Sequence, residues 1–218
     1  MYSKWFARIQ QMSGASRVLG RIASAPDREQ LEDYLAEVIY SLVFAGLGFQ
    51  VEIEPLGGKG PDLRISREGH SAYVEVMRFR RIYSGPPTLD PADDILELSD
   101  YGDLSRDTRK AYHKILAKFR QVGNEPAIIA IWNDDGDLQE TAVEFAANII
   151  NRCGMRGDLP LPSGLLFVLY GSIWWRPRDP KQLYCFTIHD REQSYQAAWQ
   201  QELASSTVRG LIQRALTS

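Results

Sequence analysis

The apolar run PAIIAIW, residues 126–132, constrains the fold of this chain more than any other segment. Its side chains are apolar at successive positions, so a strand formed here has to be covered on both faces. Residues 106–122 before it and residues 138–153 after it have the periodicity of amphipathic helices. Helices on both sides of one sheet define the α/β class, so the run predicts a parallel or mixed central sheet.

A helix pattern changes to strand patterns in the first half of the chain. Apolar residues recur at helical spacing over residues 27–45, and the glycines of GLG, residues 46–48, end that pattern. Three short segments with strand periodicity follow, at residues 49–54, 62–66 and 72–78. We expect these strands to be neighbours, with the 126–132 strand beside them and the helices of residues 27–45 and 105–122 packed on the sheet.

The chain is predicted to form an α/β core with two flanking parts. Residues 1–26 hold two short helical patterns and form an N-terminal helical extension, and the core spans residues 27–135. Residues 136–218 continue the same domain with a helix, further strands and a closing C-terminal helix. The last two strands are predicted to form a hairpin that turns at Gly171 and Ser172.

Composition excludes several classes of protein. A net charge of −3 and an isoelectric point near 5.7 exclude a uniformly basic protein that coats nucleic acid, although local patches can still bind phosphate. No segment approaches the roughly 18 consecutive apolar residues of a membrane helix, so we expect no membrane partner. Cys153 and Cys185 lie far apart, which argues against a zinc site or a disulfide framework. These features predict a soluble, cytoplasmic protein.

Two acidic residues stand in segments that would otherwise be read as purely structural. Asp62 opens a predicted strand after a glycine-rich turn, and Glu75 interrupts an apolar strand between two valines. Two carboxylates that meet across a hairpin can hold a divalent cation, and the backbone carbonyl of Val76 can complete its shell. The alternative, in which Glu75 faces solvent and pairs with Arg64 or Arg78, stays open.

Five positions of the chain resemble the motif of the PD-(D/E)XK, or restriction-endonuclease-like, nuclease superfamily: Pro61, Asp62, Glu75, Val76 and Met77. The order of helix, three strands, helix and strand over residues 27–132, about half of the chain, is similar to the core of that family. The resemblance implies a restriction-endonuclease-like fold and an endonuclease that hydrolyses DNA with Mg²⁺ or Mn²⁺. It also implies an auxiliary acid on the helix before the motif, and Glu37 matches that position better than Glu32.

Met77 stands where the family has a lysine, which orients the attacking water and offsets charge on the phosphate. A thioether can do neither. Strand alternation points the nearest cation, Arg78, to the opposite face from Glu75. Lys114 and Lys118 lie four residues apart on one face of the next predicted helix, so either is a candidate for a relocated catalytic ammonium. The alternative, that both are solvated surface lysines, stays open.

Basic residues cluster on and near the helix predicted after the motif. The residues predicted to contact a phosphate backbone are Lys59, Arg78, Arg80, Arg81, Arg109 and Lys110. Residues 86–103 carry acids without Lys or Arg and are predicted to form a long solvated loop, which is an alternative partner for the basic helix. Nucleic acid, with DNA first, is the partner that this pattern favours.

Three functions are left open by the sequence. The first is an active metal-dependent nuclease. The second is a catalytically inactive module of the same fold that binds nucleic acid or a protein partner, because Met77 has replaced the lysine. The third is an α/β protein of another class in which Asp62 and Glu75 are structural. Pairing with a second copy of the chain through the terminal helices is also open.

Overall fold

The computed structural model describes most of the chain between its first residue and the end of the sixth strand. The described residues are 2–57, 60–67, 69–79, 105–119, 121, 125–133, 140–161, 164–172 and 182–187.

The described strands form one mixed sheet of six. Their bounds are β1 Gln50–Ile53, β2 Leu63–Arg67, β3 His70–Phe79, β4 Ala127–Asn133, β5 Leu165–Ser172 and β6 Gln182–Thr187. The spatial order follows the chain order, β1-β2-β3-β4-β5-β6. The pairs β1–β2, β2–β3 and β5–β6 are antiparallel, whereas β3–β4 and β4–β5 are parallel. The predicted α/β class and the predicted neighbours among the first four strands are confirmed.

Five helices are present in the described part of the chain: α1 Tyr2–Ile9, α2 Ala15–Ala23, α3 Arg28–Gly46, α4 Arg106–Phe119 and α5 Glu140–Arg156. The first turn of α3 is capped by Asp27, whose carboxylate accepts a hydrogen bond from the Gln30 N–H at 2.8 Å. Its other end is followed by Gly48 with φ 88°, a left-handed conformation that favours glycine. None of the described helices is both long enough and apolar enough to cross a membrane.

The β4 strand is buried along its whole length, as its continuous apolar run predicts. Its side chains alternate between two cores. Ile128 and Ala130 pack with α3 on one face of the sheet, and Ile129 and Ile131 pack with α4 and α5 on the other. The sheet is therefore covered by helices on both faces, which is the arrangement that gives each β4 side chain an apolar neighbour.

The two N-terminal helices belong to the same core as α3. Ile9, Ala15 and Val18 are buried in it, and the Ile53 N–H donates to the Ser13 carbonyl at 2.8 Å. The connection between α1 and α2 passes so close to β1 that a Cβ on Gly14, with φ 78°, would lie 1.9 Å from the Ile53 carbonyl oxygen. Only glycine fits there. This contact fixes α2 beside the end of β1.

The hairpin prediction for Gly171 and Ser172 is wrong in its turn position. Both residues lie within β5, where they pair with Leu183 and Gln182 of β6. Gly171 is closely packed instead: a Cβ there would lie 3.2 Å from the Trp132 ring and 3.0 Å from the Tyr40 hydroxyl, which is tighter than ordinary van der Waals contact. The predicted acidic loop of residues 86–103 and the closing helix lie outside the described residues.

Candidate functional site

Three acidic residues lie at neighbouring positions where β1 ends and β2 begins, beside the middle of β3. The last register pairs that join β2 to its two neighbours both involve Leu63. One position further on each strand are Glu54, Asp62 and Glu75. The backbone N–H of Glu54 donates to the Asp62 carbonyl at 2.7 Å, and the Asp62 carboxylate accepts from the Val76 N–H at 2.7 Å. The antiparallel register therefore places Asp62 and Glu75 near enough for the charge of Asp62 to act on Glu75.

A fourth carboxylate, that of Glu37, reaches this row from α3. Arg21 of α2 donates to both of its oxygens, at 2.5 and 3.3 Å, and forms an ion pair with Glu54 at 2.7 Å. Glu37 and Glu54 are each 7% exposed and Glu75 is 3% exposed. We call Glu37, Glu54, Asp62 and Glu75 the acidic cluster.

Lys118 contacts the acidic cluster from the opposite side of the sheet. Its ammonium donates to Glu75 Oε2 at 3.1 Å, and its charge also acts on Asp62. The other oxygen of Glu75, Oε1, is buried and has no hydrogen-bond partner among the described residues. Met77 follows two residues later on the same strand face and packs against the core formed by α4 and α5. Lys118 therefore belongs to α4, one of the two helices whose core Met77 packs against.

Lys114 lies one helical turn before Lys118 and makes different contacts. Its ammonium donates to the Arg78 carbonyl at 3.3 Å and lies 5.1 Å from the centre of the Phe79 ring. Of the two lysines that the sequence predicted as substitutes, Lys118 is the one with a hydrogen bond to a member of the acidic cluster.

Burial and mutual repulsion hold protons on the acidic cluster. Burial, and then the charge of Asp62, raise the pKa of Glu75 from 4.5 to about 7, while Lys118 opposes the change. The same two causes raise the pKa of Glu37 to about 8 against the effect of Arg21. Burial also raises the pKa of Asp62, although the Val76 N–H and Lys118 act in the other direction.

Arg21 remains a cation throughout this range. Burial alone would lower its pKa, but the charges of Glu37 and Glu54 outweigh that effect and raise it. Among the described residues, two cationic side chains, Arg21 and Lys118, act on these four carboxylates. When all six groups are ionised, two negative charges are unbalanced, so the cluster favours either protons or a bound cation.

The donor set fits a hard divalent cation only in part. No group of three or more His, Cys, Asp or Glu side chains in the described ranges is arranged to hold one metal ion. Asp62 and Glu75 supply two carboxylates, and Mg²⁺ commonly uses one or two together with water and substrate oxygens. Oε1 of Glu75, which has no hydrogen-bond partner in the part of the chain that the structure describes, is an oxygen open to such a ligand. Val76 contributes its N–H to Asp62, and its carbonyl as a metal ligand stays a prediction.

The residues predicted to contact phosphate lie in different environments. Arg78 pairs with Glu32 and Asp33 of α3, the latter at 3.4 Å, on the face away from Lys118. Arg109 is exposed on α4, and the Lys110 ammonium lies 4.6 Å from the centre of the Phe79 ring. Lys59, Arg80 and Arg81 lie outside the described residues.

Two members of the site, Glu54 and Arg21, were not predicted as site residues. Glu54 follows β1 with a positive φ of 48°, which is uncommon for a residue other than glycine. Its carbonyl is fixed there by Arg17 at 2.6 Å and by the Gly57 N–H at 3.0 Å. The positive φ and the reach of Arg21 from α2 depend on tertiary contacts, and the alternating segment FQVEIE gives no sign of them.

Comparison with known proteins adds no assignment to this geometry. No protein-family model, no curated protein and no solved structure matches the chain.

Proposed function

We propose that this protein is a nuclease of the PD-(D/E)XK type, which hydrolyses phosphodiester bonds in DNA with Mg²⁺ or Mn²⁺ held by Asp62 and Glu75. The observation that carries the proposal is the 3.1 Å contact between the Lys118 ammonium and Glu75. The family motif has a lysine on the strand at the position of Met77. In this chain Lys118 supplies an ammonium to Glu75 from α4 instead.

Each of these side chains has a distinct task in the proposed reaction. Asp62 and Glu75 would hold the ion, which when bound would activate water and offset charge on the phosphate. Lys118 fixes Glu75 through Oε2 and leaves Oε1 for the ion. The Val76 N–H similarly fixes Asp62 through Oδ2. Each acid is therefore oriented by a donor that bonds one of its oxygens and leaves the other for the ion.

Proton release accompanies ion binding in this scheme. The pKa of Glu75 is about 7, so near neutral pH part of the population carries a proton on that carboxyl. A divalent cation binds the deprotonated form. We therefore expect cation affinity to rise as the pH increases through about 7. Glu37, whose pKa of about 8 is raised in part by the charge of Asp62, is the auxiliary acid in this scheme.

The approach of DNA is supported by the charge on α4. Arg109 and Lys110 precede Lys118 on the same helix, and cations along one helix can follow a phosphate backbone. Such contacts would orient the strand toward Asp62 and Glu75 without reading its sequence.

The experiment is cleavage of supercoiled and linear DNA with Mg²⁺ or Mn²⁺ by four proteins: wild type, Asp62→Asn, Lys118→Met and Lys114→Met. We expect the first two variants to lose cleavage by about 100-fold or more, because Asp62→Asn removes a charge that would hold the ion and Lys118→Met removes the ammonium that fixes Glu75. Lys114→Met is matched in helix, residue type and change, and we expect it to cleave within a few-fold of wild type. Equal losses in both lysine variants would contradict the role of Lys118.

The second candidate function is a catalytically inactive module that binds nucleic acid or a protein partner. The observation that favours it is the packing of Met77 in the α4–α5 core, which leaves the motif position apolar. Metal-independent DNA binding by wild type, without cleavage under any of these conditions, would select this function over the first.

A further inference from the structure

The sheet face that carries Glu75 is open at β1 and β2. The other face of these two strands packs in the core formed with α3, through Val51, Ile53, Leu63 and Ile65. On the face of Glu75, the described residues of β1 and β2 add no side chain to either hydrophobic core. Within the described part of the chain, a polar surface without helical cover therefore begins beside the acidic cluster.

Two rows of polar side chains cross this surface, and each row consists of register partners from β1, β2 and β3. The row nearer to the acidic cluster is Glu52, Arg64 and Tyr73, and the next row is Gln50, Ser66 and Ser71. We call these six residues the open face. Gln50 and Arg64 are exposed, and the other four are half-buried. Tyr73 lies two residues before Glu75, so the first row lies about 7 Å along β3 from the proposed ion site.

Arg64 is the cation of the open face and lies two residues after Asp62. The sequence left it as a possible partner of Glu75, but Glu75 accepts its hydrogen bond from Lys118 instead. Within the described ranges, no ion pair joins Arg64 to its register partner Glu52, and its guanidinium has no hydrogen-bond partner. An arginine presents five donors in a planar fork that fits a phosphate group. These donors are available to a ligand on the open face.

The open face has the kinds of side chain that bind a sugar–phosphate backbone. Phosphate oxygens in DNA accept hydrogen bonds from arginine and from Ser, Gln and Tyr side chains. Five of the six residues are of these types, and Glu52 is the one acid among the six. Because the centre of a stable interface between protein chains is more apolar, a nucleic-acid backbone fits this surface better than a second copy of the chain does.

We propose that a DNA strand held at Asp62 and Glu75 continues across the open face, where Arg64 binds a phosphate next to the one that is cut. The inference deepens the proposed function and rests on it for the position of the cut phosphate. Arg64 fixes the register of the strand in this scheme and reads no base, because a phosphate carries no sequence information. Glu52 acts in the opposite direction, since its charge repels the same phosphate.

The test is the salt dependence of DNA binding, measured by fluorescence anisotropy with a labelled duplex of fixed sequence. One series contains EDTA and the other CaCl₂, because Ca²⁺, like Mg²⁺, is bound by carboxylate oxygens. Removing one phosphate contact lowers the slope of log Kd against log salt concentration by about 1. We expect this decrease for Arg64→Gln, with weaker binding at low salt, in each series in which wild type binds the duplex.

Two further variants separate this contact from a general effect of charge. Arg152→Gln makes the same change at an exposed residue of α5, outside the open face, and should keep the wild-type slope. Glu52→Gln should bind the duplex more tightly than wild type, because it removes a negative charge from the row of Arg64. Both arginines are exposed, so we expect both arginine variants to fold, as circular dichroism would establish.

The outcomes separate this inference from the proposed function. An unchanged slope for Arg64→Gln, an equal decrease for Arg152→Gln, or weaker binding by Glu52→Gln overturns the inference, and DNA cleavage by wild type would then still support the nuclease. A decrease confined to Arg64→Gln in a protein that cleaves no DNA supports binding at the open face and contradicts the nuclease. A wild type that binds no duplex in either series, or an Arg64→Gln variant that differs from wild type only in self-association, overturns the inference.

Discussion

Replacing Glu75 by glutamine tests the electrostatics of the site without any assay of function. Glutamine has the shape of a protonated glutamate and can still accept a hydrogen bond from Lys118, but it does not ionise. Glu75 is 3% exposed, and its folded-state pKa is about 7 against an ordinary value of 4.5. The folded protein therefore holds this proton more tightly than the unfolded chain does.

The sign and size of the effect follow from this difference. The stability that the proton contributes is complete below about pH 4.5 and is lost as the pH rises through about 7. The two pKa values differ by an amount equivalent to about 3 kcal/mol. Wild type should therefore lose about 3 kcal/mol relative to Glu75→Gln between about pH 4 and about pH 8.

The assay is urea denaturation of both proteins across this pH range in the presence of EDTA. The pH-dependent part of the difference in unfolding free energy is the measured quantity, because a constant offset reflects only the altered contact with Lys118. Met77→Leu is the matched control on the same strand face, and since it changes no titratable group its curve should run parallel to wild type. A Glu75→Gln curve that also runs parallel would refute the reasoning, because Glu75 would then ionise as a solvated acid.

Two further predictions concern the position of the lysine and the packing of the sheet. For the proposed nuclease, the double variant Met77→Lys/Lys118→Met should cleave DNA within about tenfold of wild type, whereas Lys118→Met alone should not. The reason is that the lysine at position 77 of β3 places an ammonium near Asp62 and Glu75 again. A double variant as inactive as Lys118→Met would contradict this. Gly171→Ala should lower the free energy of unfolding by about 1–3 kcal/mol, because its Cβ would press on the Trp132 ring at 3.2 Å. Gly20→Ala, where a Cβ meets nothing within 4 Å, should instead stabilise α2 by up to about 1 kcal/mol, as urea denaturation of both variants would establish.

The strand and helix order of the core could be predicted because it follows from local periodicity. The change from helical spacing in α3 to alternation in β1 and β2, and the continuous apolar run of β4, each reflect which faces of an element are buried. Asp62 and Glu75 could be predicted as neighbours for a related reason. Asp62 directly precedes β2, Glu75 lies in β3, and each is one position beyond the Leu63–Val74 pair of the β2–β3 hairpin.

The choice between Lys114 and Lys118 could not be made from the sequence. Both lie on the same side of α4, and one helical turn separates them by about 6 Å along the axis. Which of them reaches Glu75 depends on how far α4 slides along β3 when it packs, and this is decided by the shapes of the buried side chains on both elements. Lys114 ends beside Phe79 and Lys118 beside Glu75.

Gly171 illustrates the opposite error. A Gly-Ser pair between two strand patterns is a good local signal for a turn, but the residue is needed for its missing side chain. The hydroxyl of Tyr40 donates to the Ile131 carbonyl at 2.6 Å, and this places the hydroxyl 3.0 Å from where a Cβ on Gly171 would lie. A close approach between α3 and a distant strand leaves no mark in the local sequence.

Met77 and Lys118 are best understood as a pair. A lysine at position 77 would bring a second ammonium to Glu75, which already accepts from Lys118 at 3.1 Å, and two cations sharing one carboxylate repel each other. With Lys118 in place, an apolar residue at 77 packs against α4 and so holds the helix that carries the charge. The requirement of phosphodiester chemistry is for a cation at a point in space. In the proposed nuclease, Lys118 would therefore keep the cation beside Glu75 although position 77 of the motif-like segment is a methionine.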